Sequence, residues 1–307
     1  MPCLKLKINK IMIESIRNYL HKFLPPLEKT FNNELQKLES EVTKCVPKTI
    51  INFGVPLAEH CNLKCCGCDH FAPLAEQEFA DIGVFENDFA RLSELLNGEA
   101  VSIGLMGGEP LLHPQVKDFL YIARKYFPKT RIRVVTNGVL LLNKKDDFWK
   151  ACRQNNIVIE ITKYPIKLKF DEMKKIASIF GVTMAFRDDT GEVQKTSYHI
   201  PLDIEGRQDA SSNFIKCFHS NVTIFFKKGR LYTCTIAPNA HHFNKFFNID
   251  MQTSVDDSID IYKAQSAQEI FQFLSKPIPF CRYCYVDKRT FGHPWQRSKK
   301  DIKEWTV

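Results

Sequence analysis

From Thr49 onward the chain alternates short apolar, β-prone runs with longer segments in which apolar residues recur every three or four positions. The short runs predict strands at about 50–55, 101–106, 131–136, 157–162 and 182–186. The longer segments predict helices at about 85–97, 115–127, 144–155 and 171–180. Regular β-α alternation of this kind predicts an α/β fold, a parallel sheet with helices outside it. Later, Val222–Phe226 and Leu231–Thr235 flank Lys227-Lys228-Gly229-Arg230 and predict a hairpin with a glycine-containing turn, followed by a helix at about 266–275. Before Thr49 the pattern is helical. Ile8, Ile11, Met12, Ile16, Tyr19, Leu20 and Phe23 recur among Lys and Asn, Pro25-Pro26 ends that helix, and a second runs from about Leu27 to Val42. These helices are expected to pack on the rest of the chain; the alternative is a basic amphipathic helix for a membrane surface or a partner. The expected organisation is a helical N-terminal extension (1–47), an α/β domain (48–210), a hairpin and helix domain (211–290) and a basic tail (291–307).

The ends of the predicted strands carry the chemistry. Cys61-Asn-Leu-Lys-Cys65-Cys-Gly-Cys68 follows the first strand. Three thiolates at this spacing can each take one iron of a 4Fe–4S cube, whose full protein complement is four. One iron then stays open, and open positions are where metal chemistry occurs. Cys66 adjoins Cys65 and reads as a bystander, because neighbouring residues rarely reach two corners of one cube. A structural zinc site, with His60 or His70 as further ligands, is the alternative.

Met106-Gly107-Gly108-Glu109-Pro110 follows the second strand, and Thr136-Asn137-Gly138 ends the third. With the cysteine loop, in this order, these motifs resemble those of the radical S-adenosylmethionine (radical SAM) superfamily over roughly residues 48 to 290. One departure is Gly67, where the superfamily often has an aromatic residue. The resemblance implies a partial (β/α)6 barrel and a cluster whose open iron is chelated by the amino and carboxylate groups of S-adenosyl-L-methionine. It implies reductive cleavage to a 5′-deoxyadenosyl radical that takes a hydrogen atom from substrate. By the same match, Gly107, Gly108, Glu109 and Pro110 would meet the methionyl amino group, and Thr136 and Asn137 would lie near the ribose. Glycine suits such a place because it lets backbone approach a ligand closely.

Cys217, the hairpin, Cys234, a helix and Cys281-x2-Cys284 form the second constellation. It resembles the twitch subdomain, the short form of the SPASM domain, with spacing similar to that of the butirosin-pathway inosamine dehydrogenase. The resemblance implies an auxiliary 4Fe–4S cluster on Cys217, Cys234, Cys281 and Cys284, giving two clusters in all. A zinc ion on the same thiolates is the alternative. Cys152, on a predicted outer helix, reads as a buried structural residue.

Three further polar residues are candidates for catalysis. Glu160 interrupts an apolar strand, and a buried carboxylate needs a partner; it would contact cofactor or substrate, or form half of an ion pair. Lys163 and Arg187, at or after strand ends, would meet carboxylate or phosphate groups, or stand as rim charges. The expected reaction is hydrogen abstraction from a hydroxyl-bearing carbon of a carbohydrate-like molecule, giving a ketone. Epimerisation, peptide modification and a non-catalytic metal or electron-transfer module are the alternatives.

Composition adds bounds. The chain has 307 residues, 44% of them hydrophobic, and no run of eighteen apolar residues. Its N-terminus lacks the features of a secretory signal. An odd count of 11 cysteines speaks against a disulfide framework, and reduced thiols lead to a cytoplasmic expectation. The formal charge of +8 favours an anionic partner or substrate, although a solvated basic surface explains it as simply. The expected partners are a small-molecule substrate and an external electron donor such as flavodoxin or ferredoxin, with no nucleic acid. The basic tail, with Trp295 and Trp305, would either cover the active-site mouth or pack on the surface.

Overall fold

The computed structural model describes residues 52–187, 196–220 and 222–307. The helices expected over residues 1–47 lie outside these. The α/β alternation is as expected. β1 (Asn52–Ala58), α1 (Ile82–Leu96), β2 (Ser102–Gly107), α2 (Val116–Tyr126), β3 (Arg131–Thr136), α3 (Asp146–Gln154), β4 (Ile157–Thr162), α4 (Phe170–Phe180) and β5 (Met184–Arg187) follow in order. Each of these strands pairs in parallel with the next. β6 (Thr196–His199) leaves this sheet and pairs antiparallel with β10 (Thr290–Pro294), near the C-terminus. Between them come α5 (Ala210–Lys216), β7 (Ile224–Lys227), β8 (Arg230–Tyr232), α6 (Ala240–Phe247), β9 (Ile259–Asp260) and α7 (Ala267–Leu274). β7 lies parallel along the free edge of β1, so the main sheet reads β5-β4-β3-β2-β1-β7-β8-β9.

Alternation of side chains across the strands sorts this sheet into two faces. Phe53, Val55, Leu57, Ile103, Leu105, Ile132, Val134, Ile157, Ile159 and Ile161 are buried on one face, in one cluster with helix residues such as Phe89, Phe119, Trp149 and Met173. Cys152 belongs to the same cluster, as expected. The other face carries Gly54, Gly104, Met106, Arg133 and Glu160, smaller or polar groups that leave room between strands. β1 contains Pro56 although it is flanked on both sides, and its register with β2 shifts between Pro56 and Ala58. A proline without an N–H is accommodated at such an irregularity. The hairpin turns through Lys228 (φ 48) and Gly229 (φ 69), the two left-handed residues a tight two-residue turn requires.

A second apolar cluster joins Phe71, Ile200, Leu202, Ile236, Phe243, Ile278, Phe280 and Trp305. It draws together the segment after the first cysteines, the C-terminal module and the tail. Among the described residues no helix is long and apolar enough to cross a membrane.

Candidate active site

The cysteine loop begins three residues past β1, and Lys64 (φ 53) and Gly67 (φ 61) bend it back on itself. The tail holds it from outside. The Cys66 N–H donates to Gln296 O (2.9 Å), the Ser298 N–H to Lys64 O (2.8 Å), and the Trp305 indole to Cys68 O (3.0 Å). A Cβ on Gly67 would meet Glu304 O at 3.2 Å. The tail therefore straps the cysteine loop.

Behind the loop lies a cavity of about 470 Å³, a size suited to small-molecule ligands. Cys61, Cys65 and Cys68 line it with Met106–Glu109, Thr136, Asn137, Lys163, Tyr164 and Arg187. Burial pushes the Cys61 thiol up to about 11 and the Cys68 thiol up to about 12; the charge of Cys65 adds to both. Tyr164 is raised by burial and then by all three thiols, so the three sulfurs converge on one region. Buried thiols that oppose one another's ionisation are the donor set a metal centre satisfies, because coordination supplies the missing positive charge. The residues fit a cluster on these three. Cys66 also lines the cavity, but burial and the nearby Glu304 carboxylate hold its thiol at about 11.

The glycines of the second motif have a role the sequence reading did not give them. Gly107 has φ +119, and a Cβ there would lie 2.4 Å from Ala58 O. A Cβ on Gly108 would lie 2.0 Å from His60 O. They let the end of β2 press against the backbone that leads into Cys61. Glu109 is buried, and Pro110 with it. The Glu109 carboxylate accepts from Thr136 Oγ1 (2.6 Å), Asn137 N (2.9 Å) and Leu111 N (3.1 Å). Burial raises its carboxyl to about 6, against the lowering effect of those donors. It ties the second motif to the third. Asn137 reaches on: its Nδ2 donates to Asn62 Oδ1 (2.7 Å) and lies 3.8 Å from Cys61 Sγ.

Of the catalytic candidates, Lys163 and Arg187 line the cavity, with the Lys163 ammonium 4.5 Å above the Phe186 ring. Glu160 is not among the lining residues. It pairs with Arg133 at 2.7 Å, and Arg133 also donates to Asn52 Oδ1 and Ser102 Oγ. The ion-pair alternative describes Glu160 here, and the carboxylate is compensated within the sheet.

Three residues that sequence reasoning missed line the same cavity. The Tyr198 hydroxyl donates to Asp69 Oδ2, and His219 Nε2 faces that oxygen at 3.3 Å without hydrogen-bond alignment. Asp69 follows Cys68, and His219 lies two residues after Cys217; this adjacency was the available signal. His219 also lines a second, smaller chamber formed by Cys217, Cys234, Cys281 and Cys284. Burial pushes the thiols of Cys234, Cys281 and Cys284 up, Cys281 to about 12, and the mutual charges of the set add to all three. Asn213 Nδ2 donates to the carbonyls of Cys281 and Cys284 and fixes their turn. Four such thiols also fit a metal centre.

One further buried group braces the two halves. Glu59, just before the cysteine loop, accepts Lys227 Nζ from the hairpin (2.8 Å) and His242 Nε2 from α6 (2.9 Å). Burial would raise the Glu59 carboxyl, but these partners hold it at about 2. His241 brings a third ligand-type atom near. The Lys227 ammonium already compensates the carboxylate, so no cation is required there.

No family model matches the chain. Over 106 residues it is 34% identical to GTP 3',8-cyclase of Chlorobaculum tepidum, a match covering 34% of this chain and 31% of that protein. The chain thus aligns with about a third of the length of that relative. Among solved structures it is similar to BtrN in complex with AdoMet and 2-DOIA (17% identity, TM-score 0.48, 78% of this chain and 94% of that one). Others are native anSMEcpe with bound AdoMet (19%, 0.36, 44% and 43%) and Streptococcus suis SuiB bound to S-adenosylmethionine (15%, 0.36, 56% and 45%). All three of these solved structures hold AdoMet.

Proposed function

We propose that this chain is a radical SAM enzyme that oxidises an alcohol carbon of a small, polar, carbohydrate-like molecule. The observation that carries the reading is the cavity bounded by Cys61, Cys65 and Cys68, by Gly107–Glu109 and by Thr136–Asn137, which meets the four-thiol chamber at His219. Cys61, Cys65 and Cys68 would hold a 4Fe–4S cluster with S-adenosylmethionine on its open iron, and Cys217, Cys234, Cys281 and Cys284 an auxiliary cluster. The chemistry these groups supply when bound is one-electron cleavage of the sulfonium, giving a 5′-deoxyadenosyl radical, and a one-electron acceptor beyond it.

The chain's own contribution is placement. The Gly107–Pro110 backbone, pressed against β1, would present polar groups to the methionyl end, and Thr136 and Asn137 would define the ribose side. Lys163 and Arg187 would take the anionic ends of cofactor or substrate. Asp69, Tyr198 and His219 would hold substrate hydroxyls between the two cysteine sets. An alcohol that loses a hydrogen atom from carbon, then an electron and the hydroxyl proton, becomes a ketone.

The test is product analysis with the purified, reconstituted protein, S-adenosylmethionine, dithionite and a panel of polyols and aminopolyols. A new carbonyl with loss of two hydrogens is expected. Absence of any net substrate oxidation across turnover contradicts the reading. Cys66 in the cavity lining favours one second reading, epimerisation, in which a thiol returns hydrogen to the opposite face. Deuterium from solvent at one product carbon, abolished by Cys66→Ser, would identify it.

A further inference from the structure

Every electron delivered to a cluster on Cys61, Cys65 and Cys68 must cross the protein surface near it. The strap packed on this loop forms part of that surface. Residues 295–303 read Trp-Gln-Arg-Ser-Lys-Lys-Asp-Ile-Lys, four basic side chains against one acidic. The backbone at Arg297 bridges to Cys65, and the neighbouring amides and carbonyls bond to Lys64 and Cys66. Meanwhile the side chains of Arg297, Lys299, Lys300 and Lys303, and that of Lys64 in the loop itself, are exposed. Among the described residues no carboxylate pairs with Lys64, Arg297, Lys299 or Lys303. Elsewhere on the surface, Lys117, Lys125, Lys228 and Lys245 do meet acidic partners. Glu304, the nearby carboxylate, is turned inward onto the Lys299 and Asp301 amides and Cys66. Lys300 lies 5.1 Å above the ring of Phe246, which is 44% exposed and gives the face an apolar spot.

We infer that this basic face, centred on Arg297, Lys299 and Lys303, is the docking surface of an acidic one-electron carrier protein, a flavin or iron–sulfur type. Unpaired cations around a small apolar patch attract an acidic partner and orient it. One strand of backbone separates that partner from the Cys65–Cys66 segment. The step is the transfer of one electron: the carrier is oxidised by one unit and the centre on the three cysteines is reduced by one. This inference rests on the functional reading above.

The experiment compares two kinds of reductant on the anaerobically reconstituted full-length chain. Dithionite is small and needs no docking face; reduced flavodoxin and a reduced acidic ferredoxin serve as carriers. The readouts are the rate of cluster bleaching in stopped flow and the release of 5′-deoxyadenosine. The variant R297Q/K299Q/K303Q is expected to keep its iron content and its dithionite rate. Its carrier-driven rate should fall about tenfold or more at low ionic strength. The wild-type carrier rate should fall with salt as screening sets in, while the variant's hardly changes. R297K/K299R/K303R should retain the wild-type rate. Equal carrier-driven rates in wild type and R297Q/K299Q/K303Q overturn the inference. So does failure of both carriers to reduce a wild-type protein that dithionite reduces, or an effect of the variant confined to binding of anionic lipid vesicles. A wild type that dithionite cannot reduce overturns the functional reading, and this inference with it.

Discussion

At the scale of residues, backbone contact between β1 and β2 makes Gly107 and Gly108 hard to replace. Gly108→Ala would drive a methyl group to 2.0 Å from a carbonyl oxygen that cannot move without moving Cys61. We expect a loss of about 1–3 kcal/mol in urea unfolding, the cost of overpacking, together with reduced iron uptake. Two carboxylates give opposite pH signatures. Burial holds Glu109 at about 6, above its ordinary 4.5. Between these values the folded chain keeps the proton more firmly than the unfolded chain, so this group's contribution falls as pH rises, by on the order of 2 kcal/mol. Glu109→Gln does not titrate and should flatten that part of the stability–pH curve of the metal-free chain. Glu59, held at about 2, acts in the other sense. Its contribution is present above 4.5 and is lost as pH falls towards 2. Glu59→Gln strands the buried Lys227 ammonium and should cost about 3–5 kcal/mol at neutral pH, measured by chemical denaturation.

Among the elements, the sequence made the βα units legible to within about three residues at each end, because each strand puts its apolar side chains on one face and each helix repeats near 3.6. β4 falls at Ile157–Thr162 as expected. Other features were hidden for identifiable reasons. Pro56 lies just past the strand expected at 50–55, and the irregularity that lets β1 continue through it is a property of the pairing with β2. Glu160 could not be assigned from its own strand, because its partner Arg133 comes from β3 and meets it only through the register. The tail's role was beyond reach, since Trp305 and Cys68 are 237 positions apart. That strap yields a prediction of its own. Trp305 is buried against Phe71, Phe243 and Phe247. Trp305→Ala should cost about 3–5 kcal/mol and make iron at the first cysteine set more labile to chelators. Lability equal to that of the wild type would mean that the strap is peripheral to the loop.

For the whole molecule, the organisation is two thiol sets that line two cavities sharing His219. The β1 edge is what brings them together: the first set follows β1, and the hairpin that leads into Cys234 adds to the same edge through β7. Glu59 and Lys227 pin that junction. If each set holds its own cluster, the two should be separable. Cys281→Ser/Cys284→Ser is expected to halve bound iron and to leave cleavage of S-adenosylmethionine intact while abolishing substrate oxidation. The polar lining of the shared cavity was partly legible, in Lys163 and Arg187. Asp69, Tyr198 and His219 come together only when the loop after Cys68, β6 and the residues past Cys217 are folded against one another.

The measurement that bears most directly on this account is made under strict anaerobiosis. The chain is reconstituted, its iron and sulfide are counted, and dithionite and S-adenosylmethionine are added. The account predicts close to eight irons per chain, four for each cluster, and release of 5′-deoxyadenosine. Zinc in place of iron, or an intact cluster-loaded protein that leaves S-adenosylmethionine uncleaved, would contradict it and return the chain to a non-catalytic metal module.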